Sequence, residues 1–489
     1  MPAVQFLFTN LHVRQLMKHH SSPWLSLLIV LTAPLLSVID VFIVNVAIPA
    51  IKSGVHASDG QVQLVIAGYL LGYASFLITG GRAGDHFGRK KVFFWGMFSF
   101  TLFSCFCGLA QTALQLNLTR FFQGISASFM VPQSIALIQV LFSDQKERGK
   151  AIGWFGITLG LASITGQVLG GYFSGIHFLV DGWRLIFLVN LPIGLAALWA
   201  THHFLGETEK SESNAFDYSG IAILTACLFC LIIPLIEGRE AGWPFWSFML
   251  LALSAIIFTY FIYDQKKKLA KDLNPLINIT LFHNKGFNIS LIAVLFQFMM
   301  HNAYLLSSAV FFQEGLHKTA LTSGLCYIMP GLMFTISSVW AGKVIHRFGK
   351  RIPQIGGLVM IAAFALQIIY FKPGVTNPVI FVLMGIYGFG NGLVLPSLLN
   401  MALRGVPPQF AGAAAGVYST FQQTASALGV SVIGGIFFYI AENGRSGPDY
   451  LKAFDQTTIV NIGCLCLTGI MLVVLPKPAG RVTTTIIAE

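Results

Sequence analysis

Apolar runs of about 20 residues recur along this chain, separated by short segments where Arg, Lys, Asp, Gly and Pro collect. A helix of that length crosses the ~30 Å hydrocarbon core of a bilayer and satisfies its own backbone groups there. The pattern predicts fourteen such helices, over 24–48, 61–82, 92–112, 115–141, 149–175, 183–205, 218–237, 246–264, 288–313, 322–342, 353–371, 377–401, 410–440 and 456–476.

Composition supports an all-α polytopic membrane protein. Of 489 residues 55% are hydrophobic and only 10% charged, too few charges to clothe a soluble molecule of this size. Abundant Phe within long apolar runs excludes a disordered chain. The net charge of +11 would suggest a nucleic-acid partner in a soluble domain. Here the basic residues lie in short loops, where membrane topology requires them, so no nucleic acid is expected. With both termini placed in the cytoplasm, 22 of the 30 Lys and Arg fall inside, 7 fall outside, and Arg120 is left within a span. Met1–His20 carries Arg14 and Lys18 but no signal-peptide core, and reads as a cytoplasmic tail. Seven Cys without paired spacing suggest neither a disulfide framework nor a zinc module. No phosphate-binding glycine loop, metalloprotease helix or nucleophile elbow occurs, so no enzyme, cofactor or metal is expected.

The chain repeats internally. Gly81-Arg-Ala-Gly-Asp-His-Phe-Gly-Arg-Lys90 aligns with Gly342-Lys-Val-Ile-His-Arg-Phe-Gly-Lys-Arg351, 261 residues on. Gly149 and Gly153 align with Gly412 and Gly416 at an offset of 263, and Gly124 and Pro132 with Gly388 and Pro396 at 264. These offsets carry helix two onto ten, four onto twelve and five onto thirteen. The division expected is 1–205 as one six-helix bundle, 206–287 as linkers and two inserted helices, and 288–489 as a second bundle in parallel orientation. The inserted pair is expected to be dispensable to the folding of either bundle.

The segment Gly81-Arg-Ala-Gly-Asp-His-Phe-Gly-Arg-Lys-Lys91, placed in the loop between helices two and three, resembles the G-x-L-A-D-R-x-G-R-K signature of the major facilitator superfamily. Gly84 and His86 stand where Ala and Arg are usual, and Ala83 replaces Leu. Fourteen helices narrow the resemblance to the drug:proton antiporter branch. Ile39-Asp-Val-Phe-Ile-Val-Asn-Val-Ala-Ile-Pro49, Arg120-Phe-Phe-Gln-Gly124, Trp183-Arg-Leu-Ile-Phe-Leu-Val-Asn-Leu-Pro192 and Phe216-Asp-Tyr-Ser-Gly220 are similar to that branch as well. The resemblance implies a multidrug exporter in a bacterial inner membrane, exchanging a small molecule for protons, monomeric and surrounded by lipid. A metabolite uniporter or proton symporter of the same fold is the alternative.

Physical roles can be assigned to individual residues. Gly81 permits close helix contact, Asp85 accepts from a helix N-terminus, and Arg89 pairs with Asp85 to hold one end shut, with Gly88 between them. Asp40 is the one acid well inside the apolar spans of the first bundle. Its charged form is poorly solvated there, so it either cycles with a proton or stays ionised beside a base such as Arg120. Arg120 either lies deep or snorkels to the interface; the resemblance implies a deep arginine that takes part in proton coupling. Gly153, Gly156, Gly160, Ser163, Gln167, Gly170 and Ser174 form a small-residue stripe expected to pack against the other bundle. The antiporter signature here, G-x8-G-x3-G-P-x2-G-G, is met by Gly153, Gly166, Gly170 and Gly171, with Ala162 for one Gly and Gln167 for Pro. Among the polar residues of other spans, Gln123, Asn302, Asn391 and Gln422 are candidate substrate contacts. His301 reads as hydrogen-bonded structure.

Overall fold

The computed structural model describes residues 22–476, apart from 177–180, 208–216, 272, 405, 407–409 and 444–448. The tail with Arg14 and Lys18, and Phe216, lie outside the described residues. Among the described residues, fourteen helices are long and apolar enough to cross a membrane. They are α1 (Pro23–Gly54), α2 (Asp59–Phe87), α3 (Arg89–Leu109), α4 (Ala113–Leu141), α5 (Gln145–Ser174), α6 (Gly182–Phe204, broken at Val189) and α7 (Tyr218–Glu240). Then come α8 (Phe245–Ala270), α9 (Lys285–Gly315), α10 (Ala320–Ile345), α11 (Arg351–Tyr370), α12 (Asn377–Leu403), α13 (Gly412–Glu442) and α14 (Tyr450–Val474).

Local chemistry sets the helix starts. Ser58 and Gln61 close a capping box on α2, each side chain bonding the other's backbone amide at 3.2 and 3.1 Å. Asp144 caps α5 by accepting from the Lys146 and Glu147 amides, both at 2.9 Å. Several helices run past their expected spans. In particular α2 continues to Phe87, so the signature segment is the last two turns of a helix and not a loop; the break is Gly88 alone. Gly88 takes φ +99° and its repeat partner Gly349 takes +54°, a region other residues avoid.

α1–α6 and α9–α14 form two parallel six-helix bundles, and α7 and α8 are the inserted pair. The same pairings recur in both halves: α1 with α5 and α9 with α13, α2 with α4 and α10 with α12, α3 with α4 and α11 with α12. Glycine crossings repeat residue for residue. A Cβ on Gly124 would strike the Tyr69 carbonyl, and one on Gly388 the Pro330 carbonyl, at offsets of 264 and 261. Gly166 meets the Ile39 carbonyl as Gly429 meets that of Met299. Such contacts let helix backbones approach closely enough for dispersion to hold them in an apolar solvent.

The bundles meet along α2–α13 and α5–α10. The inserted pair is less separable than the repeat suggests. At one end Glu240 accepts from Ser58 Oγ at 2.6 Å and from the Gly60 amide, so α7 caps α2. At the other, Arg82 Nη2 donates to the Pro275 carbonyl at 2.9 Å in the segment after α8. Removing the pair would orphan polar groups at both ends of α2.

Candidate functional site

Near the middle of the 32-residue α1, Asp40 is 0% exposed and forms an ion pair with Arg120, itself 1% exposed. Arg120 is therefore enclosed within the bundle. Its Nε donates to the Val65 carbonyl of α2 at 3.0 Å, and its Nη1 also reaches Gln123 Oε1 at 2.7 Å. The guanidinium carbon lies 4.5 Å from the Tyr69 ring centroid and 5.6 Å from that of Phe187. Asp40 Oδ1 accepts from Gln123 Nε2 at 2.8 Å and Asn190 Nδ2 at 3.1 Å, and Asn190 also donates to Ser104 Oγ at 3.0 Å. Five helices of the first bundle thus converge on one carboxylate. A buried charge needs a partner and filled hydrogen-bond positions, and here it has both.

Of the two arrangements open to Asp40, the structure has it paired, with its charge balanced by Arg120. Gln123, expected to touch substrate, is fully buried in this network. Asn190 and Ser104 were not singled out, although Asn190 lies in the quoted Trp183–Pro192 stretch, because which helices meet cannot be read from spacing.

The other candidates gather in the second bundle. His301 Nδ1 lies 2.7 Å from Tyr387 Oη and 3.4 Å from Asn391 Nδ2. Gln297 donates to Asn391 Oδ1 at 3.2 Å, which turns the Asn391 amide nitrogen toward the imidazole. Asn302 donates to Ser426 Oγ at 2.8 Å, one helical turn from the half-buried Gln422.

At the basic end of the bundle, Arg89 Nη2 pairs with Asp85 Oδ1 at 3.0 Å while its Nη1 donates to the Ala136 carbonyl of α4 at 2.8 Å. The single arginine ties α2, α3 and α4 across the Gly88 turn. The expected Arg89–Asp85 pair is present, while no helix N-terminal amide bonds Asp85 among the described residues. Gly81 faces open space, and the close contacts are made instead by Gly80 against the Ser128 carbonyl and Gly84 against the Gln133 amide.

The α5 stripe is also divided. Gly171 abuts the Ala320 carbonyl of α10, the Gln167 carbonyl abuts Gly324, and Gly160 lies against Thr335, so these residues join the bundles. Gly166 and Gly170 pack on α1 within their own bundle, because neighbours on a helix point about 100° apart. Gly153 has open space around it and packs on nothing. Gln167 Oε1 is buried at the α5–α10 seam without a hydrogen-bond partner among the described residues. A groove of about 550 Å³ on the outside of α2–α4, lined by Phe87, Lys91, Trp95 and Phe103, is separate from these networks. No group of three or more His, Cys, Asp or Glu able to hold a metal occurs among the described residues.

The Major Facilitator Superfamily profile matches residues 30–430. The chain is 31% identical over 420 residues to the probable actinorhodin transporter of Streptomyces coelicolor, covering 85% of this chain and 72% of that protein. It is 30% identical over 424 residues to the tetracenomycin C resistance and export protein of Streptomyces glaucescens, covering 84% and 75%. Its fold is similar to the crystal structure of a bacterial homologue of the human lysosomal transporter Spinster, with TM-score 0.66, 17% identity and coverage of 94% and 98%. With fourteen membrane-spanning helices, a duplicated six-helix bundle and this match over most of its length, the chain belongs to the major facilitator superfamily.

Proposed function

We propose that this protein is a proton-coupled exporter of hydrophobic or cationic small molecules, working by alternating access between its bundles. The observation that carries this reading is Asp40: an ionisable acid at mid-membrane, removed from water and balanced by one arginine. Protonating Asp40 cancels its attraction for Arg120 and leaves a buried guanidinium short of charge compensation. The two protonation states therefore favour different packings of α1 against α4, which is what coupling requires. Relatives named for antibiotic export and resistance support the substrate class.

On this reading the bundle of 1–205 moves against that of 288–489, with 206–287 carrying the inserted pair. The basic end, with Arg82, Arg89, Lys90 and Lys91, faces the cytoplasm, and both termini lie there. The α5–α10 seam then lies toward the outside. The protein acts as a monomer in a bacterial inner membrane and carries out no chemical conversion.

Asp40→Asn imitates the protonated acid with little change of shape. In proteoliposomes with ethidium as probe, it should abolish gradient-driven accumulation while ethidium exchange without a gradient persists. Intact uphill transport in Asp40→Asn overturns the assignment of the proton to Asp40. Loss of both activities in well-folded protein assigns Asp40 a structural role.

A further inference from the structure

The repeat that aligns the bundles also aligns their buried polar centres. Asp40 and His301 are 261 residues apart, the offset that separates Gly88 from Gly349. Gln123 and Tyr387 are 264 apart, the offset that separates Gly124 from Gly388. The correspondence is spatial as well. Asp40 bonds Gln123 across α1 and α4 at 2.8 Å, and His301 bonds Tyr387 across α9 and α12 at 2.7 Å. The glycine crossings beside each pair, Gly166 on Ile39 and Gly429 on Met299, recur one residue out of register with it, since Ile39 and Met299 are 260 apart.

We propose that His301 is a second proton-binding residue, holding in the second bundle the place Asp40 holds in the first. Its surroundings suit that task. The ring is 9% exposed where Asp40 is 0% exposed, and its hydrogen bonds run through Nδ1, so Nε2 has no protein partner among the described residues. With Nδ1 accepting, the neutral ring carries its hydrogen on Nε2, so an added proton goes to Nδ1 and requires the Asn391 amide as well as Tyr387 to turn. Tyr387 can follow by rotating its hydroxyl from donor to acceptor, since a phenol serves as either. The titratable side chain touching the ring is Tyr387 of α12, with Tyr304 a turn away on α9. Packed around this centre, α11 offers Gln367 and Met360, α13 offers Ser426, and α14 offers Phe454. The mid-membrane ionisable group of α1 is Asp40, already paired with Arg120. Among the described residues around this centre no cation stands ready to oppose an imidazolium, in contrast to Arg120 beside Asp40.

The role in coupling rests on the exporter reading, but proton binding can be tested apart from it. The protein carries twelve histidines, so ring-¹⁵N-labelled full-length chain in nanodiscs is compared with His301→Gln to identify one resonance. Should that variant fail to fold, the resonance is the one displaced by Tyr387→Phe. The expected result is passage from neutral to charged imidazole between about pH 8 and pH 4, the range in which histidine titrates. A ring that keeps one protonation state throughout overturns the proposal. In proteoliposomes, His301→Gln should lower gradient-driven ethidium accumulation at least tenfold, with exchange within twofold of wild type. Undiminished uphill accumulation in this variant likewise overturns it. Failure of the exporter reading shows up differently, as wild-type protein that accumulates no ethidium while the His301 resonance still titrates.

Discussion

The two bundles share a backbone plan and differ in what they bury at its centre. In the first, α1, α2, α3, α4 and α6 surround a full ion pair, Asp40–Arg120, with three amide or carbonyl groups completing it. In the second, the equivalent helices surround a network with no charged pair, His301–Tyr387–Asn391–Gln297, flanked by the Tyr304–Gln367 bond at 2.9 Å. Glycine crossings are retained in both, so packing geometry is common property while electrostatics is not. A repeat can therefore preserve the fold and assign the halves separate tasks. A desolvated ion pair switches at the cost of stranding one charge, and a neutral network that gains a proton has to solvate a new one with its own hydrogen bonds.

The sharpest way to break this comparison is to leave one charge alone. Arg120→Leu strands Asp40 and should destabilise the protein by about 3–5 kcal/mol, seen as lost monodisperse yield or a much lower Tm. Asp40→Leu in the same chain should restore most of it; a double variant no better than the single would mean the pair is not energetically coupled. Next come the shared crossings. Gly166→Val and Gly429→Val should each cost about 1–3 kcal/mol by overpacking, whereas Gly153→Val should stay within about 0.5 kcal/mol. Unequal costs for the first two would show that packing, too, has diverged. Tyr387→Phe is smaller again, about 1 kcal/mol for one hydrogen bond in the neutral network. Thermal unfolding in detergent checks each of these.

The smallest effect tests a third environment, outside both bundles. Asp217 precedes α7 and accepts from Gly220 N at 2.8 Å, Gln265 Nε2 at 2.8 Å, Lys268 Nζ at 2.6 Å and Leu276 N at 2.9 Å. Burial alone would push its carboxyl up, but these four donors outweigh it and hold the group down at about 2. A folded-state value below the unfolded one means stabilisation present above about pH 4 and lost as pH falls toward 2. The Tm gap between wild type and Asp217→Asn should narrow over that window. A constant gap would locate the effect in shape alone.

Much of this was legible in the residues, unevenly. Asp40 stood out because an acid within an apolar run has few ways to exist, whereas the positive φ of Gly88 emerges only from the structure. That Asp40 meets Arg120, 80 residues away, followed only as one of two options, since hydrophobic periodicity says which face is apolar and not which helix it will face. The α5 stripe shows the same boundary. Small residues mark close approach, yet Gly170 and Gly171 are adjacent in sequence and serve different partners. Gly81 and Gly153 carry the signature yet have open space where a side chain would point, because a motif position fixes residue type without fixing what stands opposite.

The double fastening of α2 to the inserted pair has a mechanical consequence. Glu240 bolts α7 to the start of α2, and Arg82 bolts the segment after α8 to its other end. If the bundles swing past each other, α7 and α8 are freight carried by the first bundle. The slack for that swing then has to be found between Leu276 and Lys285, a tether of fewer than ten residues before α9 begins. Shortening this tether would restrain the angle of swing, at the cost of contacts such as that of the buried Leu281.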